Sequence, residues 1–246
     1  MTGTAILALA AIMICTAFLS GIFGMAGGLI LIGILLAFLP LPEAMALHAI
    51  AQMASNGWRG LLWIKYVRWL AAAYFLSGTA AAFLFWTLVH FVPSKAIAFI
   101  LLGLSPLLVR FIPAGIRPNP EQLGYGLACG SSCMTLMLLT GVTGPLIDQY
   151  FLSGRYGRRE IVATKAVCQV IGHGAKFIYF GEFIERTSSV KMPMIILAIG
   201  ASIMGTSLAR PVLERLSDLQ FRQWSAAIIT VIAIAYLAQG GYLLFQ

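Results

Sequence analysis

Charge is scarce in this chain. Only 10% of its 246 residues are charged and only eight are acidic, while 60% are hydrophobic. A soluble domain carries about 25% charged residues, so the composition excludes one and leaves a polytopic membrane protein. Cysteine is scarce too. Cys15, Cys129, Cys133 and Cys168 all lie in apolar stretches with no CxxC or Cys/His metal spacing. That pattern fits packing thiols and gives no metal, redox centre or other cofactor to expect. The alternating ten-residue pattern of a membrane barrel is missing. So is any nucleotide-binding glycine motif, which argues against direct use of ATP. No Lys or Arg precedes the first apolar run, so a cleaved signal peptide is not expected and residues 1–23 are read as part of the mature fold.

What charge there is tilts positive, +8 overall. The basic residues cluster mostly in short loops between apolar runs, so membrane orientation accounts for them and a nucleic-acid partner is not expected. Runs long enough to span a bilayer, about 20 residues, begin near Thr4, Glu43, Trp69, Ser94, Gln122, Glu160, Lys191 and Gln223. Each is expected to be helical, because only helices or closed barrels satisfy backbone polar groups in lipid. Trp58, Trp63, Trp69 and Trp86 read as an aromatic belt, and His90, beside an expected interface, as structural.

The chain also contains two copies of one unit. "ALHAIAQMASNGWR" (46–59) aligns without gaps to "ATKAVCQVIGHGAK" (163–176), with Ala46/Ala163, Ala49/Ala166, Gln52/Gln169 and Gly57/Gly174 identical. His48 stands opposite Lys165, Asn56 opposite His173 and Arg59 opposite Lys176. Upstream, "SGIFGMAGG" (20–28) matches "TGVTGPLI" (140–147) in its Gly-x-x-Gly. The repeats are placed at 1–112 and 121–246. The proline-rich residues 113–120 act as a linker, within one integral-membrane domain. In both copies the first helical segment is interrupted, at Gly21, Gly24, Gly27 and Gly28 and at Gly141 and Gly144-Pro145. Pro145 suits the first turn of a new helix.

The loop charges choose between topologies. Eight simple spans divide the Lys and Arg evenly. If each broken segment instead turns back to the side it entered from, Arg59, Lys65, Arg68, Arg110, Arg117, Arg155, Arg158, Arg159, Arg210, Arg215 and Arg222 fall on one side, against Lys95, Arg186 and Lys191. Only the second arrangement obeys the positive-inside rule. The expected fold is therefore all-α, with two inverted repeats. Each has a broken, re-entrant first segment followed by three transmembrane helices, and both termini lie outside, in the periplasm.

Lys165, Gln169, His173 and Lys176 fall within a sector of roughly 80° at about 100° per residue. Lys165 begins roughly 9 Å into its helix, where a charge costs about 2.5–3.5 kcal/mol and usually lines a polar pathway. Inverted repeats with broken helices are a secondary-transporter architecture whose backbone N–H groups hold anions near mid-membrane. The candidate substrate-binding residues are Gly24, Gly27, Gly28, His48, Gln52, Asn56, Gly141, Thr143, Gly144, Lys165, Gln169 and His173. Asp148 and His48 are candidates for ion coupling. Duller readings stand beside these. Lys165 snorkels or pairs with Asp148, His48 is a satisfied core histidine, and Gln52, Gln169 and Asn56 bond between helices. Arg59 and Lys176, near expected helix ends, read as interfacial anchors.

The Gly-rich "GIFGMAGG" after a first apolar helix, and "GVTGPLIDQYFL" followed by "RREIVATKAV" and a further Lys, resemble the sulfite exporter TauE/SafE family. The resemblance covers nearly the whole chain and implies a multi-pass inner-membrane protein that transports small anions such as sulfite or organosulfonates. Three features depart from the family pattern. Ala26 replaces the usual third glycine, the proline often found shortly downstream is missing near Ile32, and His48-Ala49 stands where many members carry Thr-Ser. The leading expectation is a secondary transporter, exporting a sulfur oxyanion or organosulfonate such as sulfite or sulfoacetate, and not an enzyme. Its partners are the anion and the lipid bilayer, and proton or sodium coupling and a homodimer are compatible with it. An anion channel is the first rival. An intramembrane enzyme using His48, Cys168 or Asp148 is the second.

Overall fold

A computed structural model describes residues 3–23, 26–108, 119–152, 156–184, 190–215 and 218–245. Most of the linker, Gly24, and the loop cations Arg110, Arg117, Arg155 and Arg186 lie outside the described residues. Those described form ten α-helices and no strand. In order they are α1 (Gly3–Phe23), α2 (Ala26–Phe38), α3 (Leu41–Leu62), α4 (Trp69–Val89), α5 (Lys95–Leu108), α6 (Leu123–Thr140), α7 (Gly144–Leu152), α8 (Arg158–Gly181), α9 (Met192–Arg215) and α10 (Asp218–Leu244).

Five of them, α1, α4, α6, α9 and α10, are long and apolar enough to cross a membrane. Their outward faces carry large apolar side chains, among them Leu84, Phe85, Leu88, Ile196, Leu208, Val231 and Ile234. Such faces are stable in lipid, which is as apolar as they are. The chain is a multi-pass membrane protein. α3 and α8 are as long but more polar, and they hold the centre of the bundle, with Ala46, His48, Asn56, Ala163, His173 and Lys176 all buried.

Local chemistry explains where the elements stop. α3 starts behind Pro40 with a second proline in its first turn, where a missing N–H is harmless. α4 ends at His90, whose φ of 53° is left-handed and whose N–H caps the Trp86 carbonyl at 3.0 Å. That accounts for His90 as a structural residue. α6 ends the same way at Gly141, at φ 87° and with its N–H on the Met137 carbonyl at 2.8 Å. In the first half α1 is described to Phe23 and α2 from Ala26, so Gly21, Gly27 and Gly28 are helical. α2 then folds back along α1 so closely that a Cβ on Gly27 would collide with the Thr16 carbonyl oxygen and lie 2.6 Å from the Ser20 nitrogen.

α1 packs on α9 as α4 packs on α6, α3 touches α9 as α8 touches α4, and α10 touches α2 as α5 touches α7. α3 with α8 and α5 with α10 form the remaining large contacts. Exchanging α1–α5 with α6–α10 leaves these pairings unchanged.

Candidate functional site

α3 and α8 cross antiparallel. A Cβ on Gly57 would lie 3.9 Å from Val170, one on Gly174 3.6 Å from Met53, and one on Gly60 3.7 Å from Ala166. Residues late in α3 therefore meet residues early in α8. The two aligned glycines, Gly57 and Gly174, face each other's aligned neighbours, Val170 and Met53. Small residues at the crossing allow the backbones to approach and bring the polar stripe of each helix against the other.

At one end of this crossing α2 meets the end of α6. His48 is fully buried. Its Nε2 lies 3.0 Å from the Gly28 carbonyl oxygen, and its Nδ1 lies 2.7 Å from Lys176 Nζ. An ammonium only donates, so Nδ1 accepts from it. Nε2 then carries the ring hydrogen and donates to Gly28, which assigns His48 as the neutral Nε2–H tautomer from its partners. Lys176 Nζ also donates to the Gly141 carbonyl oxygen at 2.9 Å. One His–Lys bridge thus ties the backbone of α2 near its start to the backbone where α6 ends. Gly141 sits against Ile32 of α2 and Met45 of α3, its own Cβ position lying 3.0 Å and 2.8 Å from their nearest atoms.

Polar groups continue from this bridge. The His173 ring stands edge-on to His48 at 5.5 Å, and its Nδ1 is buried with no hydrogen-bond partner. Gln52 lies beside Gly28, where an added Cβ would be 3.1 Å from Gln52 Nε2. Asn56 Nδ2 donates to the Gln52 carbonyl at 3.0 Å. Arg59 reaches the Asn56 side-chain oxygen at 3.4 Å and the Ser20 carbonyl of α1 at 3.2 Å. Thr143 is buried just before α7, and its carbonyl accepts from the Leu146 and Ile147 N–H groups at 3.1 Å each, fixing the first turn. Gly144 is buried at the start of the same helix.

Lys165 lies elsewhere. Its ammonium is paired with the Asp148 carboxylate of α7, and the two side chains retain 13% and 17% of their exposure. Gln169 is half-buried one turn further along α8. Of the candidates read from the sequence, Gly28, His48, Gln52, Gly141 and His173 come together around one point, and Lys165 with Asp148 forms a separate pair. Gly27 is turned against α1, and Gly24 lies outside the described residues.

The residue that sequence reasoning misjudged is Lys176. It is no interfacial anchor. α8 runs five residues past it to Gly181, and its side chain is 0% exposed. The signal that could have found it is the polar stripe itself, which places Lys176 one turn from His173 on the same face. Among the described residues no carboxylate pairs with this ammonium. A buried cation without a counter-ion is costly, and a small anion supplies one. No group of three potential metal ligands occurs among the described residues.

A sequence-family model described as sulfite exporter TauE/SafE matches residues 9–236. No curated protein and no solved structure gives a significant match to the chain.

Proposed function

The chain belongs to the sulfite exporter TauE/SafE family, and from that premise we propose that it is a secondary transporter exporting a small anion across the inner membrane. The substrate class is a sulfur oxyanion or organosulfonate such as sulfite or sulfoacetate. The observation that carries the reading is the Lys176 side chain, closed off from solvent and bonded to His48 and to the Gly141 carbonyl, with no carboxylate paired to it among the described residues. Removing a charge from water to mid-membrane costs about 2.5–3.5 kcal/mol, and an anion bound against it offsets that cost. His173, with its unpartnered Nδ1, and Gln52 are the neutral groups nearest to complete the shell.

The architecture behind this reading is a pair of inverted repeats, 1–112 and 121–246, each opening with a re-entrant pair of helices. Its support is the exchange-symmetric packing of the ten helices, the antiparallel crossing of α3 and α8, and the fold-back of α2 on α1. Broken helices at mid-membrane serve alternating access in transporters of this kind. The loop cations then face the cytoplasm and both termini the periplasm. Proton coupling through Asp148, coupling to sodium, and a homodimer all accord with this scheme.

Efflux of radiolabelled sulfite from proteoliposomes tests it. A carrier gives saturable efflux, accelerated by unlabelled sulfite on the far side and abolished in Lys176→Met. Large single-channel currents would instead establish the channel reading, and chemically altered substrate the enzyme reading. Absence of any sulfite-dependent flux or binding would remove this class of substrate.

A further inference from the structure

We propose a second anion station at the opposite end of the α3–α8 crossing, formed by Arg59 and Lys165 with Asp148 as its resident counter-ion. The proposal rests on the transport reading above and deepens it.

The repeat alignment pairs His48 with Lys165, Arg59 with Lys176, Gly21 with Gly141 and, by the same spacing, Gly28 with Asp148. Two contacts at the buried centre have counterparts at the other end. His48 of α3 bonds to the carbonyl of Gly28 on the short helix α2, and Lys165 of α8 bonds to the carboxylate of Asp148 on the short helix α7. Lys176 donates to the Gly141 carbonyl where α6 ends, and Arg59 donates to the Ser20 carbonyl three residues before α1 ends. The scaffold has built the same cradle twice and filled it with different side chains.

The charges make the second cradle an anion site. At the first, neutral His48 and the Lys176 ammonium leave one net positive charge. At the second, the approach of Gly60 to Ala166 brings together the parts of α3 and α8 that carry Arg59 and Lys165, and with Asp148 paired to Lys165 one net positive charge is again left. The carboxylate already occupies the position of a bound oxyanion on Lys165, so a substrate oxyanion competes with it there. Eleven residues of α3 separate His48 from Arg59, about 16 Å along the helix. The second cradle lies at the end of α3 that leads to exposed Lys65 and Arg68 and at the start of α8, where exposed Arg159 stacks on Trp63 and Tyr66. This basic rim concentrates anions at that mouth. An anion taken up there exchanges with Asp148, passes along Gln52, Asn56 and Gln169, and reaches Lys176.

Equilibrium binding of radiolabelled sulfite to the purified full chain tests the proposal, with far-UV helicity as the fold control. The wild type is expected to bind in two phases. The near-isosteric Asp148→Asn removes the competitor and should tighten the weaker phase about tenfold while slowing efflux from proteoliposomes. Lys165→Met combined with Asp148→Asn leaves Arg59 as the station's one cation and should weaken the weaker phase relative to Asp148→Asn while leaving the tighter one unchanged. A single phase in the wild type, or an Asp148→Asn isotherm identical to it, overturns the second station. If Lys176→Met still abolishes binding in that case, the transport reading stands alone. Should the double variant fail to fold, Asp148→Asn decides by itself.

Discussion

Replacing Lys176 by methionine separates a structural cation from a substrate-binding one. The side chain is fully buried and makes two hydrogen bonds, to His48 Nδ1 at 2.7 Å and to the Gly141 carbonyl at 2.9 Å. Methionine fills much the same volume without charge. Relief from the buried charge returns about 2.5–3.5 kcal/mol, and two acceptors left without a donor cost about 1–3 kcal/mol each. These terms oppose each other, so the net loss of stability should be about 1 kcal/mol at their mid-values and no more than about 3.5 kcal/mol. Binding has no such compensation. An ammonium about 4 Å from an anion contributes about 4 kcal/mol at an effective dielectric near 20. Half of that lost is still roughly thirtyfold in Kd. Lys176→Gln keeps an N–H donor without the charge and should lose binding in the same way, with a smaller loss of stability. Sulfite isotherms and thermal melts on the three proteins are the assay. A Kd in Lys176→Met within about threefold of wild type, with the fold intact, would refute the reasoning and return the lysine to a purely structural role.

Gly27→Ala and Gly28→Ala should part company. The first drives a Cβ into the backbone of α1 and should cost about 1–3 kcal/mol or prevent accumulation of folded protein, whereas the second meets only the flexible end of Gln52 and should fold but bind sulfite more weakly. Gly141→Ala forces a side chain to φ 87° and towards Met45 Sδ at 2.8 Å, so melting should show a loss of about 1–2 kcal/mol or more. His173→Phe removes a buried Nδ1 that has no partner; stability should hold or rise while sulfite Kd increases about threefold to tenfold, the worth of one neutral hydrogen bond. Arg68→Gln breaks exposed ion pairs to Glu121 at 2.6 Å and Glu160 at 3.5 Å, and its effect on melting should stay below about 1 kcal/mol and fade in high salt.

Helix positions were largely legible because the membrane imposes a simple rule on apolar runs. Expected starts at Thr4, Trp69, Ser94, Gln122 and Lys191 lie within one residue of the observed ones, Gly3, Trp69, Lys95, Leu123 and Met192. α10 begins at Asp218, five residues before its apolar run, because Asp218, Gln220 and Arg222 interrupt the apolar pattern there and hydropathy cannot separate such a mixed helical turn from a loop. The end of α6 was legible at its glycine, since Gly141 does take the left-handed turn there, whereas Gly21, Gly27 and Gly28, also read as break positions, lie within α1 and α2. The bond between His48 and Lys176 was not. It spans 128 residues, and its anchors at either side are backbone carbonyls of Gly28 and Gly141, which every residue possesses and no sequence pattern marks. The stripe indicated that α8 had a polar face, but only packing could tell which of its two lysines met a carboxylate.

That difference between the lysines is where a duplicated scaffold acquires direction. With identical side chains in both halves, the two ends of the α3–α8 crossing would hold an anion equally and nothing in the chain would distinguish entry from exit. The repeat positions have instead diverged in what each cradle offers. His48 and Gly28 give Lys176 two neutral partners and leave its charge for a ligand, whereas Lys165 and Asp148 at the aligned positions answer charge with charge. On the proposed reading an anion would be held firmly at the closed end and would exchange with a carboxylate at the end whose pair keeps 13–17% exposure. Exchanging the two arrangements, with His48→Lys and Gly28→Asp in one half and Lys165→His and Asp148→Gly in the other, should therefore reverse which cradle gives the tighter sulfite phase. Lys176→Met read in that background measures it: the tight phase should now persist without Lys176, and its loss would show that the asymmetry resides outside these four positions.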